Sequence, residues 1–236
     1  MTEHLKARVE ADGFARSDRD EMRRLIGETA LTGWQAWSAS WADLGPDQFM
    51  ADGGRYRRRR YAAFEVDAAG STRLAHQPHY QSLDYNRLNG GVERWFEPIT
   101  EEVASDPLTA RLVELCREVF GGGGFPWRCE MHQFRIEANA GEAGQPTPEG
   151  VHRDGVDWVL VMLVARQNVV AGVTNIFDPE GRPLGSFTLT EPLDAVFLDD
   201  NRVFHGVTAI EAVDPAQPAF RDVLVVTFRR TDPDGR

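Results

Sequence analysis

The sequence predicts a mainly β fold with flanking helices, arranged as a barrel or jelly roll. Three observations predict it. The second half divides into seven short β-rich segments parted by turn signals. One of these, VDWVLVMLV, is apolar at both parities and so needs cover on both faces. The first fifty residues instead space their apolar side chains as helices do.

The helical region comes first. Ser17 or Asp18 can cap a helix that carries Met22, Leu25 and Ile26 on one face. Trp34, Trp37 and Trp41 then recur at three and four residues, an apolar stripe suited to core contact. From Tyr56 the texture changes. YAAFEV and STRLAHQPHY read as strand or extended segments, broken by Gly70 and Pro78, and LNGGVERWFEPI reads as loop with a turn at Gly90-Gly91. A further helix is expected in DPLTARLVELCREVF. Asp106 caps it, Pro107 takes its first position, and the run Gly121 to Gly124 stops it. No Lys-Ser/Thr follows those glycines, so they are not a phosphate loop.

The seven β segments follow: WRCEMHQFRIEA, VDWVLVMLVAR, GVTNIFD, GSFTLT, AVFLDD, HGVTAI and RDVLVVTFRR. Turn signals such as Asp178-Pro179-Glu180-Gly181 and Glu191-Pro192 part them. The expected organisation is one domain over 1–236, with a helical region at about 1–50, a β core at about 55–230, and a disordered Asp-Pro-Asp-Gly-Arg tail.

Composition narrows the function classes. The chain has 236 residues, 42% hydrophobic and 27% charged, which suits a globular protein. A net charge of −11 repels phosphate backbones, so nucleic acid is not an expected partner. The run RYRRRR, Arg55 to Arg60, is the exception. It is expected to be the solvated start or edge of a strand, with a local anion site as the alternative. Cys116 and Cys129 are too few for a disulfide framework and point to reduced thiols in a cytoplasmic protein. No apolar run is long enough to span a membrane, and the charged N-terminus does not resemble a signal peptide.

One constellation carries chemistry. In PEGVHRDGVDW, His152 and Asp154 are two apart, and on extended backbone residues two apart point the same way. His205 opens a later strand segment in LDDNRVFHGVTAI. Two imidazoles and a carboxylate on one face leave positions open for substrate and O₂, the pattern of non-haem Fe(II) oxygenases. Arg221 shares one strand face with Val223, Val225 and Thr227. An arginine among apolar inner residues needs an anion. The distal carboxylate of 2-oxoglutarate fits a guanidinium fork, and pairing with Asp222 or Asp199 is the alternative. His76 and His79 flank Pro78 with no acid in the pair, and His132 lies mid-strand, where a core role is expected, so these compete poorly as ligands.

PEGVHRDGVDWVLVMLVARQNVVAGVTNIFD, with LDDNRVFHGVTAI and RDVLVVTFRR, resembles the bacterial 2OG-Fe dioxygenase family typified by L-isoleucine 4-hydroxylase. RYRRRRYAAF, PHYQSLDYNRLNGGVERWFEPI and WRCEMHQFRIEA extend the resemblance over about Arg55 to Arg230. It implies a double-stranded β-helix of cupin-like form, with Fe(II), 2-oxoglutarate and O₂. It implies His152, Asp154 and His205 as metal ligands and Arg221 as the 2-oxoglutarate arginine. Where relatives tend to carry Gly-Gly, this chain has Ala171-Gly172. No hydroxyl residue stands two after Arg221, so a second 2-oxoglutarate contact falls to Thr174, Asn175 or Gln133. The retained Asp154 favours hydroxylation over halogenation.

The resemblance also implies a small-molecule substrate, a free L-amino acid, with a peptide or carrier-bound substrate as the alternative. Its carboxylate and ammonium would need an arginine and an acid. Arg94, Arg135, Glu130 and Asp157 are the candidates. Gln81 and Asn86 are expected to shape a lid made flexible by Gly90-Gly91. A cupin-like protein that binds without catalysis is the reading from another class. A zinc hydrolase ranks last, because no helical Glu base accompanies the triad.

Overall fold

Antiparallel strand pairing builds the architecture in this computed structural model, which describes residues 1–121, 126–139 and 141–231. The expected helix stop at 122–124 and the tail from 232 lie outside the described residues. In chain order the elements are α1 (Thr2–Asp12), β1 (Phe14–Ser17), α2 (Arg19–Ile26), α3 (Glu28–Leu31) and α4 (Trp34–Ala39). Then come β2 (Arg57–Asp67), β3 (Gly70–Arg73), α5 (Glu101–Ala104), α6 (Pro107–Val119) and β4 (Trp127–Ala138). The last stretch holds β5 (Trp158–Gln167), β6 (Val169–Ala171), β7 (Val173–Phe177), β8 (Pro183–Thr188), β9 (Ala195–Asp199), β10 (Phe204–Val207), β11 (Ile210–Ala212) and β12 (Ala219–Arg230).

A seven-stranded sheet runs β1-β9-β5-β12-β4-β2-β3, and a three-stranded sheet runs β10-β7-β8. The period of two divides each long strand between two environments. On one face of the large sheet, Cys129, Met131, Leu160, Met162, Leu224, Val226 and Phe228 join the helices in the main core. On the other face, Val159 and Val196 pack with Ile176 of the small sheet. β5 is therefore central and covered on both sides, as its continuous apolar run requires.

The helices form where their caps and faces predict. Asp18 accepts a hydrogen bond from Glu21 N (2.8 Å) to cap α2, whose Met22, Leu25 and Ile26 are buried. Asp106 caps α6 through Leu108 N (2.8 Å), with Pro107 at the first position. Trp37 and Trp41 are buried, and each indole N–H keeps a partner: Trp37 donates to Thr109 Oγ1 (2.9 Å) and Trp41 to the Val223 carbonyl (3.1 Å). Leaving either donor unpaired would cost about 1–3 kcal/mol.

Three expectations are corrected. The N-terminal region is not wholly helical: Phe14–Ser17 is a strand that pairs with β9 along the sheet edge. HGVTAI does not form one strand, because β10 joins the small sheet and β11 pairs with β6. The arginine run is not a solvated edge either. β2 lies between β3 and β4, and its alternation sends Arg57 and Arg59 inward, both buried. Arg58 faces Glu137, and Arg60 faces Asp43 and Glu97.

Candidate metal centre

His152 and His205 meet through an antiparallel bridge in which each backbone N–H donates to the other's carbonyl (2.9 Å both ways). The register matches His205 with Ile176, which packs inward, so His205 also faces the space between the sheets. His152 Nε2 lies 3.6 Å from Asp154 Oδ1, and His205 Nε2 lies 3.7 Å from Asp154 Oδ2. One ligand atom from each of the three residues falls within 4.8 Å of the other two. His152 Nδ1 donates to the Gly150 carbonyl (3.0 Å), which leaves the Nε2 lone pair for an ion. His205 Nδ1 is buried without a partner.

The turn that presents Asp154 is clamped by Asp200. Its carboxylate accepts from the backbone N–H of Asp154 (2.9 Å), Gly155 (2.8 Å) and Val156 (3.2 Å). Gln81 Nε2 donates to the Asp154 carbonyl (2.9 Å) from the opposite side. Gly155 has φ +77°, and a Cβ there would meet the Tyr85 ring at 2.5 Å, so this turn needs glycine twice over. Charge in the cluster is distributed unevenly. Burial disfavours the His152 cation, but the hydrogen bond and charge of Asp154 outweigh it and raise the imidazole to about 9. Burial, then the charge of His152, pushes His205 down to about 4. Burial alone would raise Asp154, yet the hydrogen bond and charge of His152 hold it well below the usual carboxylate range.

Two compartments meet at Asp154. The smaller, about 110 Å³, is walled by Phe134, Ile136, Val161, Val207 and Val223, with Arg221 in its wall. Arg221 is 1% exposed, and its Nε and Nη2 have no hydrogen-bond partner. Burial, then the charge of Arg166, lowers its guanidinium to about 10. Neither Asp222 nor Asp199 pairs with it. Asp222 lies on the opposite sheet face and takes a bidentate bond from Arg135 (2.8 and 2.7 Å).

The larger compartment, a chamber of about 240 Å³, is lined from β2, β4 and the segment 79–94. The pairing of β2 with β4 aligns Arg59 with Phe134 and Tyr61 with His132, and their neighbours Arg57 and Glu130 share that face. Asp47 holds Arg57 Nε at 2.7 Å and Arg59 Nη1 at 3.5 Å. Arg59 also stacks on Phe96 (3.5 Å to the ring centre) and donates to His132 Nδ1 (2.8 Å). Glu130 accepts from Tyr61 (2.9 Å), His79 Nδ1 (2.9 Å) and Arg128 (3.0 Å). Burial opposes its ionisation, but these donors hold it at about 2. His79, Glu130 and His132 have metal-type atoms within 4.8 Å of one another. Their hydrogen bonds argue against a second ion, because Arg59 occupies the His132 Nδ1 lone pair and Glu130 is already filled by donors.

The expected substrate and cosubstrate residues therefore separate. Arg94 and Glu130 line the chamber, together with Gln81 and Asn86. Arg135 does not, being tied to Asp222 on the helix side. Gln133 shares that side and donates to Ser40 Oγ (2.8 Å). Asp157 sits at the strand end, accepting from Arg230 N (2.8 Å) and Asn201 (3.3 Å). Asn175 turns outward to Ser186 (2.9 Å), whereas Thr174 is buried opposite Val207. Gly90 is needed for close packing: a Cβ there would strike the carbonyls of Asn86 and Ser82. Sequence reasoning missed Asp47, Glu149 and Asp200, set His79 and His132 aside, and read Arg57 and Arg59 as part of a solvated run with a local anion site as the alternative. The alternation in RYRRRR was the available signal for these two arginines.

Comparisons with known proteins identify the family and the fold. A profile of the 2OG-Fe dioxygenase family matches residues 38–227. L-isoleucine-4-hydroxylase of Bacillus thuringiensis is 27% identical over 183 residues, covering 74% of this chain and 75% of its own. The crystal structure of a bsmA homolog from Methylobium petroleophilum PM1 superposes with a TM-score of 0.83 at 37% identity, covering 97% of this chain and 92% of that one. IDO from Bacillus thuringiensis shares the fold, with a TM-score of 0.81 at 22% identity over 98% of this chain and 100% of that one.

Proposed function

The chain belongs to the 2OG-Fe dioxygenase family, and from that premise we propose that it hydroxylates a side-chain carbon of a free L-amino acid. The observation that carries the reading is a convergent His152, Asp154 and His205 beside an arginine with nothing to bind. The donor set fits Fe(II), since two neutral imidazoles and a carboxylate on one side of the ion suit that metal and leave coordination positions free. The smaller compartment fits 2-oxoglutarate, because the Arg221 guanidinium is buried without an anion and such a charge needs one.

Each residue then has a task. His152, Asp154 and His205 hold the metal, and the Gly150 carbonyl fixes the tautomer of His152. Arg221 grips the distal carboxylate of 2-oxoglutarate by charge-assisted hydrogen bonds. Phe134, Val161 and Val223 exclude water around it, which strengthens that pairing. Arg57 faces both compartments and keeps its Nη atoms free of protein acceptors, which suits it better than Thr174 to a second carboxylate contact. When bound, Fe(II) and 2-oxoglutarate supply the oxidation: O₂ is divided between succinate, formed with loss of CO₂, and a hydroxyl on the substrate. Arg94 supplies the substrate's carboxylate with a cation. The relative from B. thuringiensis, named for acting on L-isoleucine, supports the amino-acid class.

Asp154→Ala should abolish succinate formation in the presence of Fe(II) and O₂. Unchanged turnover would remove the triad from the reading. Mass spectrometry of the twenty free L-amino acids incubated with the enzyme, Fe(II) and 2-oxoglutarate should reveal one gaining a single oxygen atom. Oxidation confined to peptides or carrier-bound amino acids would reject the free amino acid.

A further inference from the structure

We propose that Arg94 and Glu149 together form a receptor for the substrate's charged head, Arg94 taking the α-carboxylate and Glu149 the α-ammonium. The inference rests on the free amino-acid reading above and names the groups that would enforce it.

The chamber's buried charges are mostly spoken for. Arg57 and Arg59 share Asp47, and Arg128 has Glu130. Two are not. Arg94 is 2% exposed, its Nε lacks an acceptor, and among the described residues its side chain makes one hydrogen bond, a 3.3 Å contact with the neutral Gln81. Glu149 is the mirror case. Its Oε2 is buried without a donor. Its Oε1 approaches only His152 Nε2, at 3.5 Å. A metal ion would take that nitrogen's lone pair in place of its proton, since the other ring N–H is committed to the Gly150 carbonyl, and Glu149 would then lose its cationic neighbour. Burial and Arg57 push the Arg94 guanidinium down, and Glu149 is among the carboxylates whose charge opposes this, so the two feel each other across the chamber.

Two opposite charges line one cavity, Arg94 without an acid and Glu149 with a bare Oε2 and, once a metal is bound, no cation, and together they complement a molecule that carries both signs. A plain carboxylic acid satisfies Arg94 and leaves Glu149 buried and alone. An amine does the reverse. An amino acid thioesterified to a carrier lacks the anion for Arg94. Sites with buried polar groups reject ligands that leave those groups unpaired far more strongly than they reject a missing methyl. Glu130 is filled by three donors and cannot serve as the ammonium acceptor. Glu149 lines both compartments, three residues before His152, so it would hold the ammonium close to the metal.

The test uses the full chain loaded with Fe(II) and 2-oxoglutarate, and the free amino acid it oxidises best. The matching des-amino acid and decarboxylated amine serve as comparison probes. Glu149→Gln should raise KM for the amino acid about tenfold to a hundredfold, the loss of a charge-assisted bond. It should leave KM for the des-amino acid unchanged, and leave unchanged the visible charge-transfer absorption of the anaerobic Fe(II)–2-oxoglutarate complex. Arg94→Gln should weaken both acids and spare the amine. If Glu149→Gln loses that absorption, Glu149 serves the metal and the receptor is wrong. If it weakens the amino acid and des-amino acid equally, its role is structural and the receptor is equally wrong. If the wild-type oxidises none of the twenty amino acids, the reading of the substrate class fails and takes the receptor with it. If the wild-type oxidises one and Glu149→Gln matches its KM, the receptor alone fails.

Discussion

The two compartments that meet at Asp154 are built on opposite plans. The smaller is mostly apolar, shares Arg57 and Glu149 with the larger, and adds Arg221, whose Nε and Nη2 have no partner among the described residues. The larger crowds Arg57, Arg59, Arg94, Arg128, Glu130 and two histidines into a chamber where most charges are already paired. A mostly apolar site with an unpartnered guanidinium suits one invariant ligand. A site with many paired charges fixes the directions of its few remaining donors and acceptors, which suits discrimination among similar molecules. The same residue type thus plays two parts: Arg221 awaits a partner, whereas Arg59 orients His132.

The contrast breaks most visibly at Arg221. Arg221→Met should raise KM for 2-oxoglutarate by about thirtyfold to several thousandfold, since truncating one partner of a buried charge pair costs about 2–5 kcal/mol. The ligand-free protein should melt no lower, because the guanidinium has no protein partner to lose. A lower Tm with an unchanged KM would make Arg221 a structural residue and erase the distinction.

Asp200 is shared by both plans, since it holds the turn at their junction. Asp200→Ala releases three backbone N–H groups and should weaken Fe(II) activation about 10–100-fold, the usual effect of losing a group that orients a ligand. The weakening should appear whichever amino acid is tested. A change confined to one substrate would place Asp200 in the chamber instead.

The smallest effect should come from Glu130. Its folded value, about 2, lies below the ordinary 4.5. The stability it contributes is therefore present above pH 4.5 and lost as the pH falls through about 2. Melting curves of the wild-type and Glu130→Gln should be separated by a constant interval above pH 4.5 and converge toward pH 2. At this chain length each kcal/mol is worth about 2–4 °C. An interval that does not change with pH would mean that Glu130 acts through shape, not charge.

The smaller compartment was largely legible in the sequence and the larger was not, for a physical reason. His152 and Asp154 are two apart, and Arg221 lies in an apolar strand, so alternation alone exposes them. The chamber is assembled across strands. Arg59 meets His132 only because β2 and β4 pair in one register, and nothing local in HQF or RRR announces it. The same alternation, carried through β4, separates Gln133 and Arg135 from His132 and sets them with Cys129 and Met131 on the helix side. Glu149 and Asp200 sit in turns, where no periodicity acts. FARS has little intrinsic strand preference, and the open edge of β9 decides its conformation.

The segment that roofs the chamber is tied to the metal turn at two points, Gln81 to the Asp154 carbonyl and Tyr85 against Gly155. Tyr80 and Ser82 line the same roof without touching that turn through any hydrogen bond. Mutational drift therefore has unequal consequences along a few adjacent residues. Changes at 80 and 82 alter what the roof offers a ligand, whereas changes at 81 and 85 reach the turn that presents Asp154. The roof can therefore be re-cut for a different ligand at two of its positions without moving the turn that presents Asp154, and not at the other two.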